Sequence, residues 1–79
     1  MTAPPAGVLD CRGQRCPLPV IALARAAATA TPGTVLELWA DDPAAATDVP
    51  AWCRLRGAEL LQVRAVSGTA TSYQVRVGT

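Results

Sequence analysis

The chain has 79 residues, 51% of them apolar, with seven basic and six acidic side chains and a formal net charge of +1. That length supports one small packed domain, and the apolar fraction excludes a disordered polar segment. The balanced charge, carried by seven arginines and no lysine, excludes binding driven by phosphate contacts, which requires a basic face or stripe.

Residues 1–7 contain Pro4-Pro5 and have neither a basic start nor an apolar run. They are expected to form a disordered leader and not a signal peptide, with residues 8–79 forming the single domain. Val8 to Arg12 alternates, placing Leu9 and Cys11 on one face, as a short half-buried strand would. Gly13 breaks the pattern and supplies backbone freedom for a tight strand-to-helix turn. From Pro17 to about Ala30 alanine dominates and Arg25 is the one charge, which predicts a helix. Its apolar stripe is expected at Leu18, Ile21, Ala24 and Ala28, broadened by Val20, Leu23 and Ala27. Thr31-Pro32-Gly33 ends it.

Thr34 to Ala40 alternates Leu36, Leu38 and Ala40 against Val35, Glu37 and Trp39, the clearest strand pattern in the chain. Strand, helix and strand make a βαβ unit with parallel strands and a right-handed crossover. The C-terminal ends of both strands then share an edge with the start of the first helix, where sites in open α/β layers gather. Asp41-Asp42-Pro43 follows at that edge. Asp42 is expected to accept backbone N–H groups as a turn or cap residue, and the alternative is that one of these aspartates pairs with Arg12 or Arg15.

An interior proline costs a helix about 3 kcal/mol. The second helix is therefore expected to begin near Thr47, with Asp48 in its first turn and Pro50 near enough to the start to be tolerated. Val49, Trp52, Cys53 and Arg56 would share a face, and Gly57 is the natural stop. Ala58 to Val66 and Ser72 to Val77 alternate on either side of a turn containing glycine and predict a closing hairpin. In it Leu61, Val63 and Ala65 match Tyr73, Val75 and Val77, while Arg64, Gln74 and Arg76 point to water. The order β-α-β-α-β-β predicts an α/β (α+β) two-layer sandwich: a four-stranded mixed sheet with two helices on one face.

The chemistry centres on Cys16 within Arg12-Gly13-Gln14-Arg15-Cys16-Pro17-Leu18-Pro19. Proline suits the first helical position, and it biases the residue before it to the extended dihedrals of an N-cap. Pro17 is thus expected to open the helix with Cys16 at its N-cap, where the amides of Cys16 and Leu18, the helix dipole, Arg12 and Arg15 would all favour thiolate. The inert alternative is a cysteine that fills space beside prolines that start a helix. Cys53 is expected to be a buried packing residue. The odd cysteine count argues against a secreted disulfide framework and for a reducing cytoplasm. Without histidine or Cys-x-x-Cys spacing, no metal site is expected.

The run Leu9-Asp10-Cys11-Arg12-Gly13-Gln14-Arg15-Cys16-Pro17-Leu18-Pro19 resembles the signature of the TusA/SirA family of small sulfur carriers, in which the cysteine of a Cys-Pro-x-Pro motif carries a persulfide. The likeness continues through Thr31-Pro32-Gly33, Ala40-Asp41-Asp42-Pro43 and Asp48-Val49-Pro50. It implies a relay protein, as distinct from an enzyme that turns over a substrate. Cys16 would accept sulfane sulfur from a cysteine desulfurase or rhodanese-like donor and pass it to an acceptor protein, for tRNA thiolation, molybdenum-cofactor chemistry or sulfur oxidation depending on the member. Asp10, Arg12, Gly13, Arg15, Pro17, Leu18, Pro19, Asp41 and Asp42 would support the site, and Leu18 would offer a partner an apolar surface. Leu18 stands where members acting on tRNA often carry an acidic residue.

Cys11 is a possible second thiol, with an inward place on the strand as its alternative. The resemblance implies no cofactor beyond the covalent sulfur. No stretch approaches the length or hydrophobicity of a transmembrane helix, so no membrane association is expected, and a monomer that leaves the Cys16 edge exposed best suits transient contacts with two partners in turn. Two other functions compete. One is a non-catalytic regulatory or interaction module of the same fold, with ordinary thiol reactivity at Cys16. The other is nucleic-acid binding through the sheet, for which Trp39 and Tyr73 would stack beside Arg64 and Arg76; with so few candidates, no direct nucleic-acid binding is expected.

Overall fold

The computed structural model describes residues 7–78. The elements run β1 (Val8–Asp10), α1 (Leu18–Thr29), β2 (Val35–Ala40), α2 (Ala45–Arg56), β3 (Glu59–Ser67) and β4 (Ala70–Arg76). The strands form one sheet in the order β1-β2-β4-β3. β1 runs parallel to β2, and both β2–β4 and β3–β4 are antiparallel. The hairpin thus folds back so that its second strand lies in the middle of the sheet. Residues 1–6 of the expected leader lie outside the described residues. Gly7, which closes that leader, already belongs to the fold, because its carbonyl accepts the Glu37 amide at 3.3 Å.

One face of the sheet carries the core. Leu36, Leu38, Ala40, Tyr73 and Val75 meet Leu23 from α1 and Ala45, Val49, Trp52 and Cys53 from α2. Both helices therefore cover the same face, as the strand and helix patterning predicts. Leu23, Leu38, Val49 and Val75 are fully buried, and each contributes on the order of 1.5–3 kcal/mol of hydrophobic stabilisation. Alanines at positions 22, 24, 26 and 27 fill the remaining contact, so α1 can lie close to the sheet.

The face of α1 differs from the expected stripe. Pro19 and Leu23 are buried, while Leu18 and Ile21 are 51% and 40% exposed and Ala28 is also exposed. With alanine on every side the helix has little periodic signal of its own, and the seating of Pro19 at its first turn decides which way it rolls.

α2 begins at Ala45, two residues before the expected start, and so contains Pro50. Its start is set by Asp42, whose side chain accepts the Ala44 amide at 3.1 Å and whose carbonyl accepts the Ala45 amide at 3.0 Å. Asp48 falls in the first turn as predicted. The helix stops at Gly57, where φ is 68° and the amide closes on the Cys53 carbonyl, a left-handed cap that glycine adopts without steric cost. Arg56 is exposed and does not share the buried face.

In the hairpin the register shifts between Leu60 and Gln62. Leu60, not Leu61, consequently packs on the core, since one extra residue in a strand turns every later side chain over. Tyr73 is buried on the helix side and is no stacking platform. The opposite face of the sheet holds Glu37, 6% exposed and accepting from Trp39 Nε1 at 2.5 Å, Ser72 Oγ at 2.9 Å and Gln74 Nε2 at 3.4 Å. These donors, the Trp39 indole first, hold its carboxyl below the usual range against the opposing effect of burial. Of the residues expected to point to water, Gln74 is thus drawn onto Glu37, and Arg76 pairs with Glu59 across the strands at 2.9 Å.

Candidate functional site

The site is built where β1 and β2 end. β1 continues one rung past its last residue, as the Cys11 amide donates to the Trp39 carbonyl at 2.8 Å. The chain then reverses through a turn closed by the Gln14 amide on the Cys11 carbonyl at 3.1 Å. Gly13 occupies its third position at φ 81°, where a type II turn needs a positive φ. A second turn follows at once. The Leu18 amide donates to the Arg15 carbonyl at 2.9 Å, and the Cys16–Pro17 peptide at its centre is cis.

Two aspartates from the end of β2 hold these turns. Asp41 receives the Gly13 amide on both carboxylate oxygens, at 2.9 and 3.0 Å. Asp42 receives the Cys16 amide through Oδ2 at 2.5 Å. The expected role of Asp42 as an acceptor of backbone N–H groups is what the structure displays, with Cys16 as one of the donors. The Cys16 amide, then the Ala44 amide, keep its carboxyl below the usual range, with the Arg15 charge adding to the effect. No aspartate of this pair forms an ion pair with Arg12. That arginine is held by Asp10 at 2.7 Å and lies over the Trp39 ring, 5.0 Å from its centroid. The hydrogen bond from Arg12 holds Asp10 down at about 2.

The helix start differs from expectation in a way that matters for the sulfur. Pro17 is the N-cap, at φ −98° and ψ 16°, and α1 begins at Leu18 with Pro19 in its first turn. Cys16 therefore precedes the cap. Its own amide belongs to Asp42 and the Leu18 amide to Arg15, so neither reaches the sulfur. Sγ instead donates to Oδ2 of Asp48 at 2.7 Å. This hydrogen bond, followed by desolvation and the charges of Asp48 and Asp42, pushes the Cys16 thiol up. The expectation of a thiolate stabilised at rest is overturned, because a carboxylate now faces the sulfur where amide donors were expected.

Asp48 is the residue of this site that sequence patterning missed. Alone it reads as a first-turn helix residue, and the signal available was that its helix starts at the same edge as Cys16. The structure thus brings Cys16, Asp41, Asp42 and Asp48 together, with Arg15 close enough to act on Asp42. Cys16 is exposed, whereas Cys11 and Cys53 are buried, and all three are free. Cys11 lies in the core with Leu38 and Tyr73, and burial raises its thiol. Beside Cys16 an apolar groove of about 370 Å³ runs along Pro17, Val20, Ala51, Trp52 and Leu55, with Asp48 at its side. Leu55 is 81% exposed. The arrangement offers an accessible sulfur whose backbone is clamped, whose proton has an acceptor and whose surroundings are apolar.

The chain is similar to known proteins. The family model described as Sulfurtransferase TusA matches residues 7–77. A protein named sulfur carrier protein TusA from Pseudomonas paraeruginosa is 36% identical over 69 residues, 87% of this chain and 87% of its own length. Its namesake from Pseudomonas putida is 38% identical over 65 residues, covering 82% and 81%. The crystal structure of a SirA-like protein from Desulfitobacterium hafniense superposes with a TM-score of 0.79 at 20% identity, over 91% of this chain and 97% of that one. That likeness is one of fold.

Proposed function

The chain belongs to the TusA family, and on that premise we propose that it is a sulfur carrier in which Cys16 holds sulfane sulfur as a persulfide. The observation that carries this assignment to a residue is the exposure of Cys16 at the site edge, with its amide on Asp42 and its thiol on Asp48. The other two thiols are in the core.

The carrier takes sulfur from a donor protein and delivers it to an acceptor protein. A cysteine desulfurase or a rhodanese-like sulfurtransferase supplies it, and the protein acts as a monomeric relay in the cytoplasm with no cofactor beyond the bound sulfur. No helix among the described residues is long and apolar enough to cross a membrane. A resting thiol suits a relay, because the carried species is the persulfide and the free thiol need only become nucleophilic when a donor is docked. Exposed Leu18, two residues after Cys16 in the chain, and exposed Leu55, in the groove beside it, give partners apolar side chains to press against.

The test is to incubate the protein with a cysteine desulfurase and cysteine and weigh it by mass spectrometry under non-reducing conditions. The wild type gains the mass of one sulfur atom, and Cys16→Ala does not. A Cys16→Ala variant that still gains sulfur overturns the assignment.

A further inference from the structure

The thiol proton of Cys16 faces a single carboxylate. Sγ lies 2.7 Å from Oδ2 of Asp48, while the neighbouring Asp42 is committed to the amides of Cys16 and Ala44. Asp41 is likewise occupied, by the Gly13 amide. Among the described residues, the thiol is the one hydrogen-bond donor on the Asp48 carboxylate. The remaining charges at this edge are Arg15, which acts on Asp42, and Arg12, which is tied to Asp10. The walls of the adjoining groove are apolar apart from Asp48 and Cys16 itself. A partner seated over that groove displaces water from the sulfur, so a proton leaving Sγ has to go to a protein group. Asp48 is the group in contact.

We propose that Asp48 is the proton partner of Cys16 in sulfur transfer, accepting the thiol proton as sulfur is loaded and returning a proton to Sγ as sulfur leaves. This rests on the carrier function above. In loading, the electron pair of Sγ forms a bond to the outer sulfur of a donor cysteine persulfide, R–S–SH. The S–S bond of the donor breaks and its electron pair leaves on the donor sulfur. The proton of Sγ passes to Asp48 and from there to the departing donor sulfur, giving R–SH and Cys16–S–SH. Nothing is oxidised or reduced overall, because the sulfane sulfur only exchanges one thiol for another. Delivery is the same step in reverse, with an acceptor thiol attacking the outer sulfur, its proton passing to Asp48 and Sγ leaving as a thiol protonated by Asp48.

Two readouts separate this role from a merely structural or repulsive one. Asp48→Asn keeps an oxygen that can accept the S–H but cannot take the proton. Removing the negative charge frees the thiolate in water, so alkylation of Cys16 by iodoacetamide at neutral pH speeds up severalfold. Loading from a pre-persulfidated cysteine desulfurase slows by about a hundredfold in its limiting rate, with the half-saturating donor concentration unchanged. Asp48→Ala is equally slow, and acetate in the buffer restores part of its loading rate.

Alkylation and loading that rise together, or a limiting loading rate unchanged in both variants, overturn the inference while leaving the carrier function standing. A wild type that gains no sulfur overturns the carrier function and this inference with it.

Discussion

The backbone amide of Cys16 donates to Oδ2 of Asp42, 26 residues further along the chain. The same carboxylate accepts the Ala44 amide through its other oxygen, so one side chain ties the reactive turn to the start of α2. Asp42→Ala removes both acceptors at once. We expect a melting temperature lower by about 4–8 °C, followed by circular dichroism, and slower sulfur loading as Cys16 loses its fixed position. Asp42→Asn, which keeps one of the two accepting oxygens, should lose less. Equal melting temperatures for wild type and Asp42→Ala would show that the clamp contributes nothing to the fold.

Acid should act through the same carboxylates. Asp42 is held below the ordinary aspartate value of about 3.9 by the Cys16 and Ala44 amides, and Asp10 is held at about 2 by Arg12. A carboxyl lowered in the folded state contributes stability above its unfolded value, and that contribution disappears as pH falls through the folded one. The urea midpoint should therefore be level between neutrality and pH ~5 and fall from there towards pH ~2. In Asp42→Asn that fall should be shallower. A midpoint that is flat down to pH ~2 in the wild type contradicts the pairing.

Cys16 predicts the opposite sign. Its thiol is raised, first by the hydrogen bond to Asp48, so thiolate appears only above the ordinary thiol value of about 8.5. Any stability from that hydrogen bond is present below the unfolded value and is lost as pH rises through the folded one. Iodoacetamide should modify native Cys16 more slowly at neutral pH than it modifies the urea-unfolded chain, with a midpoint in the rate against pH above that of the unfolded thiol. Cys11 and Cys53 are buried and should react only on unfolding. A native midpoint below the unfolded one would mean that the sulfur sees amides or arginines in preference to Asp48.

Glu37 gives a prediction remote from the sulfur. It is buried against Trp39, Ser72 and Gln74, and deleting it leaves these donors without their acceptor. Glu37→Ala is expected to cost about 1–3 kcal/mol in urea unfolding, with a change in Trp39 fluorescence. Glu37→Gln should fall between it and the wild type, since an amide oxygen still accepts while the amide nitrogen meets another donor.

Leu18 tests the proposed docking surface. It is half exposed and outside the core, so Leu18→Asp should change stability by no more than about 0.5 kcal/mol. Loading from a protein donor should weaken through a higher half-saturating concentration, while loading from a small-molecule persulfide stays the same. Equal losses with both donors would place Leu18 in the chemistry and not in docking.

Most of the architecture was legible in the chain. Alternation at Leu36, Leu38 and Ala40 marks β2, Gly57 marks the end of α2, and the βαβ spacing puts Asp41 and Asp42 at the edge that holds Cys16. The family signature around Cys16 is equally local. What periodicity misjudged has a physical cause in each case. The stripe of α1 was ambiguous because alanine has nearly the same character on every face. The start of α2 depended on a turn closed by Asp42 on the amides of Ala44 and Ala45, which leads into a helix that encloses Pro50. The inward residue of β3 depended on a register shift that leaves no mark in the alternation.

By itself the sequence determined the strands and helices, the edge at which the site lies and the cysteine proposed to carry sulfur, because these follow from patterns a few residues long. Only the tertiary structure decided the state of that cysteine. Its amide and its thiol are met by Asp42 and Asp48, which lie 26 and 32 residues away and reach Cys16 from the end of β2 and from the first turn of α2. A local motif says which donors a helix start offers a sulfur. The acceptors that take them first are a property of the folded edge, and where a thiolate was expected they leave a thiol that donates to a carboxylate.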